Sequence, residues 1–252
     1  MCPLGCSTPV EPTPQNANCK TPARLRAPLK MSPSLDPSDS YVGRPHRRAS
    51  LSECNEHTDL AWRLDQIPLQ ASVRGVFLNM IDDRAGLLSE ATQREYRSFF
   101  RVHRFTPFRF YPTRDYVTRL VVLAQIHWGG PSIYQGIREI QSHAFDAYAS
   151  SLFGKAALAL VEPSLTQMLR FIDVAWRTQT AVNYSRCQLV EATPTTHRIR
   201  FLNEFVYIEH AMVGALEGVA RLTGTRITAT VELETPFDGL VTLERQIPGY
   251  VS

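Results

Sequence analysis

A change of period constrains this chain more than any other feature. Between residues 71 and 180 the apolar side chains recur every three or four positions, and from about Ala181 they recur every second one. The plainest case is residues 227 to 234, where Ile227, Ala229, Val231 and Leu233 alternate with Thr228, Thr230, Glu232 and Glu234. The first rhythm builds helices with one apolar stripe; the second builds strands with one wet face. The chain is therefore predicted to be α+β, an N-terminal helical half followed by a β-β-α-β-β antiparallel sheet unit packed on helices.

In the helical half, Val73, Val76, Phe77 and Met80 predict a helix opening at Ala71 and stopping at Gly86. Ser89 is the expected N-cap of a polar, arginine-rich helix ending near Arg104. Tyr116, Leu120, Leu123 and Ile126 share a face of the next helix, capped by Thr113 or Asp115 and broken at Gly129-Gly130-Pro131. Ile133, Ile137, Ile140, Ala144, Phe145, Tyr148 and Leu152 predict one long helix with Gly154 as its left-handed C-cap. Glu162-Pro163 opens a helix carrying Leu165, Met168, Leu169, Ile172, Ala175 and Trp176. Ala181 to Glu191 and His197 to Phe201 then read as strands around Thr193-Pro194. Phe205 to Thr223 reads as a helix stopped by Gly224, and Leu240 to Arg245 as a return strand after the turn Pro236 to Gly239. In this register Val231 faces the core, and Val231→Asp is expected to unfold the domain.

Residues 1–58 differ in kind. Nine of the seventeen prolines fall before residue 46 and aliphatic side chains are few. Such a segment buries too little apolar surface to offset its ordering entropy, so 1–58 is predicted to be a disordered proline-rich tail and 59–252 a single α+β domain. Arg47-Arg48-Ala49-Ser50 has the pattern of a basophilic kinase site and equally that of a solvated charge cluster. Met31 offers a second start of translation. Neither a basic region nor an apolar core precedes Cys6, so no signal peptide is expected. No apolar run approaches the ~20 residues that span a bilayer. Of the five cysteines, Cys2, Cys6, Cys19 and Cys54 lie in the tail and Cys187 in the domain, with no C-x-x-C pair. That usage predicts a reducing, cytoplasmic setting without a disulfide framework or a zinc site.

The reactive side chains are scattered. The seven histidines have no metal-ligand spacing, and the neighbours Glu209 and His210 would diverge on a helix. Cys187 beside Arg186 is a candidate nucleophile, set against the plainer reading of a small buried thiol. No nucleophile elbow, Walker loop or dinucleotide fingerprint occurs. No catalytic, cofactor-binding or metal residue is therefore assigned, and no enzyme is expected. In residues 94–119, Arg94, Arg97, Arg101, Arg104, Arg109, Arg114 and Arg119 interleave with Tyr96, Phe99, Phe100, Phe105, Phe108, Phe110, Tyr111 and Tyr116. Such a pattern can hold single-stranded nucleic acid. A net charge of only +3 favours instead core aromatics with solvated arginines. Gly214 and Gly218, one helical turn apart, mark a face that another element can approach closely, which makes a dimer or adaptor surface a further candidate.

Five stretches carry a family resemblance: Val73-Arg74-Gly75-Val76-Phe77-Leu78-Asn79, Tyr111-Pro112-Thr113-Arg114-Asp115-Tyr116, Ala144-Phe145-Asp146-Ala147-Tyr148, Leu152-Phe153-Gly154, and Gly214-Ala215-Leu216-Glu217-Gly218 through Gly224 into the strand at Ile227. Over roughly residues 71–246 the chain resembles a myxobacterial paralogous family of unknown function, related to the haem–nitric-oxide-binding, four-vinyl-reductase and TRAPP-like superfamily. The resemblance implies a non-catalytic regulatory or sensory domain that binds a small apolar ligand. A homo-oligomer or protein partner is the alternative. Haem-binding relatives place a proximal histidine just after the long helix, whereas this chain has none between Ala144 and Thr196. Their Tyr-x-Ser-x-Arg motif is replaced by Phe201-Leu202-Asn203-Glu204-Phe205, and Tyr184-Ser185-Arg186 has the wrong spacing. No haem or other cofactor is expected.

Overall fold

A computed structural model describes residues 51–181 and 185–246. The segment 1–50, with its Arg47–Ser50 cluster, lies outside the described residues. The domain starts earlier than the expected boundary at 59. Helices α1 (Leu51–His57) and α2 (Leu60–Gln66) come first, and Cys54 is wholly buried. The six α1 residues other than Cys54 include only one aliphatic, so the helix does not stand out from the tail in the sequence. The joint is stitched by the Thr58 hydroxyl donating to Cys54 O and by Ala61 N–H donating to Asn55 Oδ1, each near 2.8 Å.

The helix expected from Ala71 is split. Ser72–Arg74 is strand β1, and Gly75–Gly86 is α3. The Ser89 N-cap is found, accepting from Thr92 N–H, but its helix α4 (Glu90–Phe99) ends short of Arg104. Strand β2 (Phe110–Pro112) leads into α5 (Thr113–His127), whose N-cap is Pro112 rather than Thr113 or Asp115. A 3₁₀ turn at Gly130–Ser132 follows.

The long helix expected from Ile133 is three helices: α6 (Ile133–Gln141), α7 (Ala144–Ser150) and α8 (Leu152–Leu158). Serines make both breaks. The Ser142 hydroxyl donates to Glu139 O, and extended Ser151 accepts from Gly154 N–H to start α8. Gly154 is thus inside the first turn of α8 and is no C-cap; a Cβ there would lie 1.9 Å from Tyr148 O. Helix α9 (Leu165–Gln179) runs into β3 (Thr180–Ala181), and β1 sits between β2 and β3 in a small antiparallel sheet that the periodicity did not reveal. Strands of two or three residues are too short to show alternation.

The C-terminal unit follows the expected β-β-α-β-β order: β4 (Arg186–Ala192), β5 (Thr196–Leu202), a π turn (Ile208–Met212) into α10 (Val213–Leu222), β6 (Ile227–Thr235) and β7 (Asp238–Arg245). The antiparallel sheet has the order β4-β5-β7-β6. Gly224 stops the helix region with φ +65° as expected. Because β6 is an edge strand, Val231 is only half-buried, whereas its register partner Val241 on β7 is fully buried and also faces Ile199 of β5.

The face of α10 bearing Gly214 and Gly218 is used within the chain. Cβ atoms there would lie 2.1 Å from Arg138 O and 2.2 Å from Ser142 O, so this helix closes onto α6 and is not a free docking face. Arg138 clamps the crossing through Glu217, with Nε to Oε2 at 2.9 Å. Among the described residues no helix is long and apolar enough to cross a membrane. Thermal denaturation should separate the two valines. Val241→Asp should abolish the cooperative transition by burying an unpaired carboxylate, a loss above about 4 kcal/mol. Val231→Asp should leave a folded protein with a lowered midpoint.

Candidate ligand cavity

Strand β5 ends at Leu202, and Asn203 adopts φ 53°, a left-handed conformation that asparagine tolerates. The Asn203 N–H donates to Asp238 Oδ1 at 2.8 Å, which fixes the turn. The next residue, Glu204, is buried at 2% exposure, and its own N–H donates to Phe237 O at 2.8 Å. Its carboxyl accepts from the Ser185 hydroxyl at 2.5 Å and from Val206 N–H at 2.9 Å. Ser185 in turn accepts from the Trp176 indole N–H of α9 at 2.8 Å. Desolvation pushes the Glu204 carboxyl up to about 7, further than these donors and nearby Arg63 pull it down. At neutral pH it is shared between its acid and its anion.

Glu204, Ser185 and Trp176 form one wall of a cavity of about 50 Å³. Ala71, Val73, Phe77, Ala144, Phe205 and Val206 supply an apolar lining. A second polar point is Tyr116 on α5, which accepts a short hydrogen bond from Gln141 Nε2 of α6. Burial pushes the Tyr116 hydroxyl up, so it stays protonated. The cavity therefore lies among β1, α3, α5 and α9, walled on one side by the segment before α10.

Few of the candidates drawn from the sequence converge here. Cys187 is fully buried, and desolvation with Glu204 and Asp173 nearby pushes its thiol well up, opposite to what a nucleophile needs. Burial likewise pushes Cys54 up to about 11. Glu209 and His210 lie on the π turn, where His210 stacks on Tyr134 at 4.4 Å and burial lowers it to about 4. His197 bonds Thr166 Oγ1 at 2.8 Å, and His143 faces Glu139 and Asp146 on the surface. No cluster of three metal-ligating side chains occurs among the described residues.

The stretch 94–119 is likewise taken apart. Tyr96, Phe105 and Tyr116 are core residues, Arg119 is 4% exposed and paired to Asp82 at 2.8 Å, and Arg114 donates to Ile67 O. Of the eight aromatics only Phe108 and Phe110 stay exposed. In the sequence Glu204 stands only within the stretch that departs from the Tyr-x-Ser-x-Arg motif. The signal available is one acidic residue, beside Asn203, among Phe201, Leu202, Phe205, Val206 and Ile208.

The sequence matches the family model "Protein of unknown function (DUF2378)" over residues 67–238, and the chain belongs to that family. Solved structures similar to it are H-NOX domains. One, from S. oneidensis in the Fe(II)NO ligation state, has TM-score 0.56 at 12% identity, covering 69% of this chain and 99% of that one. The Fe(II) unliganded H-NOX protein from K. algicida has TM-score 0.55 at 12% identity, covering 71% and 100%. A variant H-NOX from T. tengcongensis has TM-score 0.54 at 12% identity, covering 70% and 100%. The fold is H-NOX-like. No curated protein sequence matches the chain.

The cavity does not fit haem. Among the described residues no histidine, cysteine or methionine lines it to ligate iron, and no arginine or lysine lines it to hold propionates. Tyr116 is held in the phenol form rather than the phenolate a metal takes. A volume of about 50 Å³ is also far below the ~300 Å³ where sites for molecules of drug size begin.

The carboxyl gives a pH test. The folded-state pKa of Glu204, about 7, lies above the ordinary 4.5, so its stabilising contribution is complete below about pH 4.5 and is lost as pH rises through about 7. The two values differ by an amount worth about 3 kcal/mol. Chemical denaturation from pH 4.5 to 8.5 should show wild type losing stability relative to Glu204→Gln by that order. Parallel curves would place the carboxyl's pKa near its ordinary value.

Proposed function

We propose that this chain is a non-catalytic sensory domain whose interior takes a small, largely apolar ligand without haem. The observation that carries the reading is the cavity itself, an apolar chamber whose wall holds one hydrogen-bonded carboxyl and one tyrosine hydroxyl. Empty apolar cavities of ~150 Å³ accept benzene or xenon. A third of that volume suits a gas-sized molecule or one of a few heavy atoms. The H-NOX-like fold supports a sensory role, since the named relatives are studied in ligand-free and Fe(II)NO states. Two buried free thiols, Cys54 and Cys187, support a reducing, cytoplasmic setting, and the sequence motifs support a myxobacterial paralogous grouping.

A protein-partner reading rests on a different surface from the one the glycines suggested. Around α8, Leu152 and Leu160 are 75% and 89% exposed and Phe153 is 43% exposed. Such a group is apolar enough to mark a contact.

Xenon is a direct probe of the chamber. Xenon-129 NMR of the full chain should show a saturable bound environment that Ala144→Leu, filling the cavity, removes while the melting transition persists. Equal xenon responses in the two folded proteins would contradict the reading.

A further inference from the structure

A second cavity, of about 390 Å³, lies on the far side of α3, between its C-terminal turn, α4 and the loop that follows. Its walls carry charge that is not internally matched. Asp83 and Arg97 both line it, both are exposed, and no ion pair or hydrogen bond joins the side chain of either to another described residue. Opposite charges that share one cavity yet do not meet leave a gap between them.

Deeper in the wall is Asp82, whose side chain is only 9% exposed. Its Oδ1 accepts from Tyr96 Oη at 2.6 Å and from Arg119 Nη1 at 2.8 Å, whereas its buried Oδ2 has no hydrogen-bond partner. His103 lines the same cavity, and its buried Nδ1 also lacks a partner. Burial pushes the Asp82 carboxyl up despite Arg119, so that carboxylate remains short of donors. Ala85, Gly86 and Leu87 add a short apolar side.

We infer that this cavity binds a small zwitterion of the α-amino-acid type, its ammonium toward Asp82, Asp83 and His103 and its carboxylate toward Arg97. The charge count supports a zwitterion over a simple ion. Asp82 and Asp83 are balanced by Arg119 and Arg97, so a ligand of zero net charge leaves the site neutral. An ammonium supplies three donors, which the exposed Asp83 carboxylate can accept while Asp82 and His103 stand behind it. Arginine matches a carboxylate with two parallel hydrogen bonds. The volume falls within the ~300–1,000 Å³ of small-molecule sites and exceeds the first cavity's, so the two take different ligands.

The test uses the full chain and L-alanine, L-leucine, L-glutamate and L-arginine as probes, each followed by thermal shift and by two-dimensional NMR up to about 10 mM, where a Kd near 1 mM is readily read. At least one should raise the melting temperature saturably and move the resonances of α3 and α4. Its N,N,N-trimethyl derivative, which has no N–H donor, should fail. Asp83→Asn and Arg97→Gln, both at exposed positions, should keep the wild-type melting temperature without ligand and weaken binding by about tenfold each. No saturable response to any of the four overturns the proposal, and so does binding that both variants leave unchanged. A response confined to the β1–α9 cavity would likewise overturn it while leaving the apolar-ligand reading intact.

Discussion

A buried carboxyl must be met by donors, because leaving it ionised and unpaired in an apolar interior is prohibitively unfavourable. Glu204 is met by three elements at once. Trp176 of α9 reaches it through Ser185, Val206 N–H reaches it from the segment leading to α10, and the Glu204 backbone is tied to Phe237 in the β6–β7 turn. The same turn is held from α2 by Arg63, whose guanidinium donates to Phe205 O at 3.3 Å and Pro236 O at 3.4 Å and lies 4.0 Å from the Tyr207 ring centre. Helical half and sheet are fastened here, and the small cavity lies beside the fastening.

The H-NOX-like fold here encloses a cavity whose lining does not fit haem. Haem requires a wide slot, an axial donor and cations for two propionates. Here the cavity is a small chamber lined by Val73, Phe77, Phe205 and Val206, with an acid on one wall. An acid poised near neutrality and a phenol held protonated can both donate to a ligand, and neither favours a metal.

The main architecture was legible because the two side-chain periods are strong over long elements. The alternation in β5 and β7 and the stripes in α5, α6 and α9 are each read directly from spacing. What escaped the sequence has local physical causes. The break at Ser142 depends on a hydroxyl bonding back to Glu139 O, a competition that the apolar spacing across it conceals. Helix α1 is too polar to announce itself, and β1 to β3 are too short to alternate. The inward face of β6 was right in phase, but its place at the sheet edge, which spares Val231 full burial, is a property of strand order. Gly214 and Gly218 did mark a close approach, with α6 of the same chain as the approaching element. The cavity was not legible at all, since its members come from residues 71 to 206 and only folding assembles them.

The acid-walled chamber does not accommodate haem. Titration of the full chain with hemin under reducing conditions, followed by visible absorption, tests it most directly. Only the weak, non-saturating spectrum of hemin on a protein surface is expected, unchanged by Glu204→Gln. A sharp Soret band that saturates at one haem per chain would contradict it.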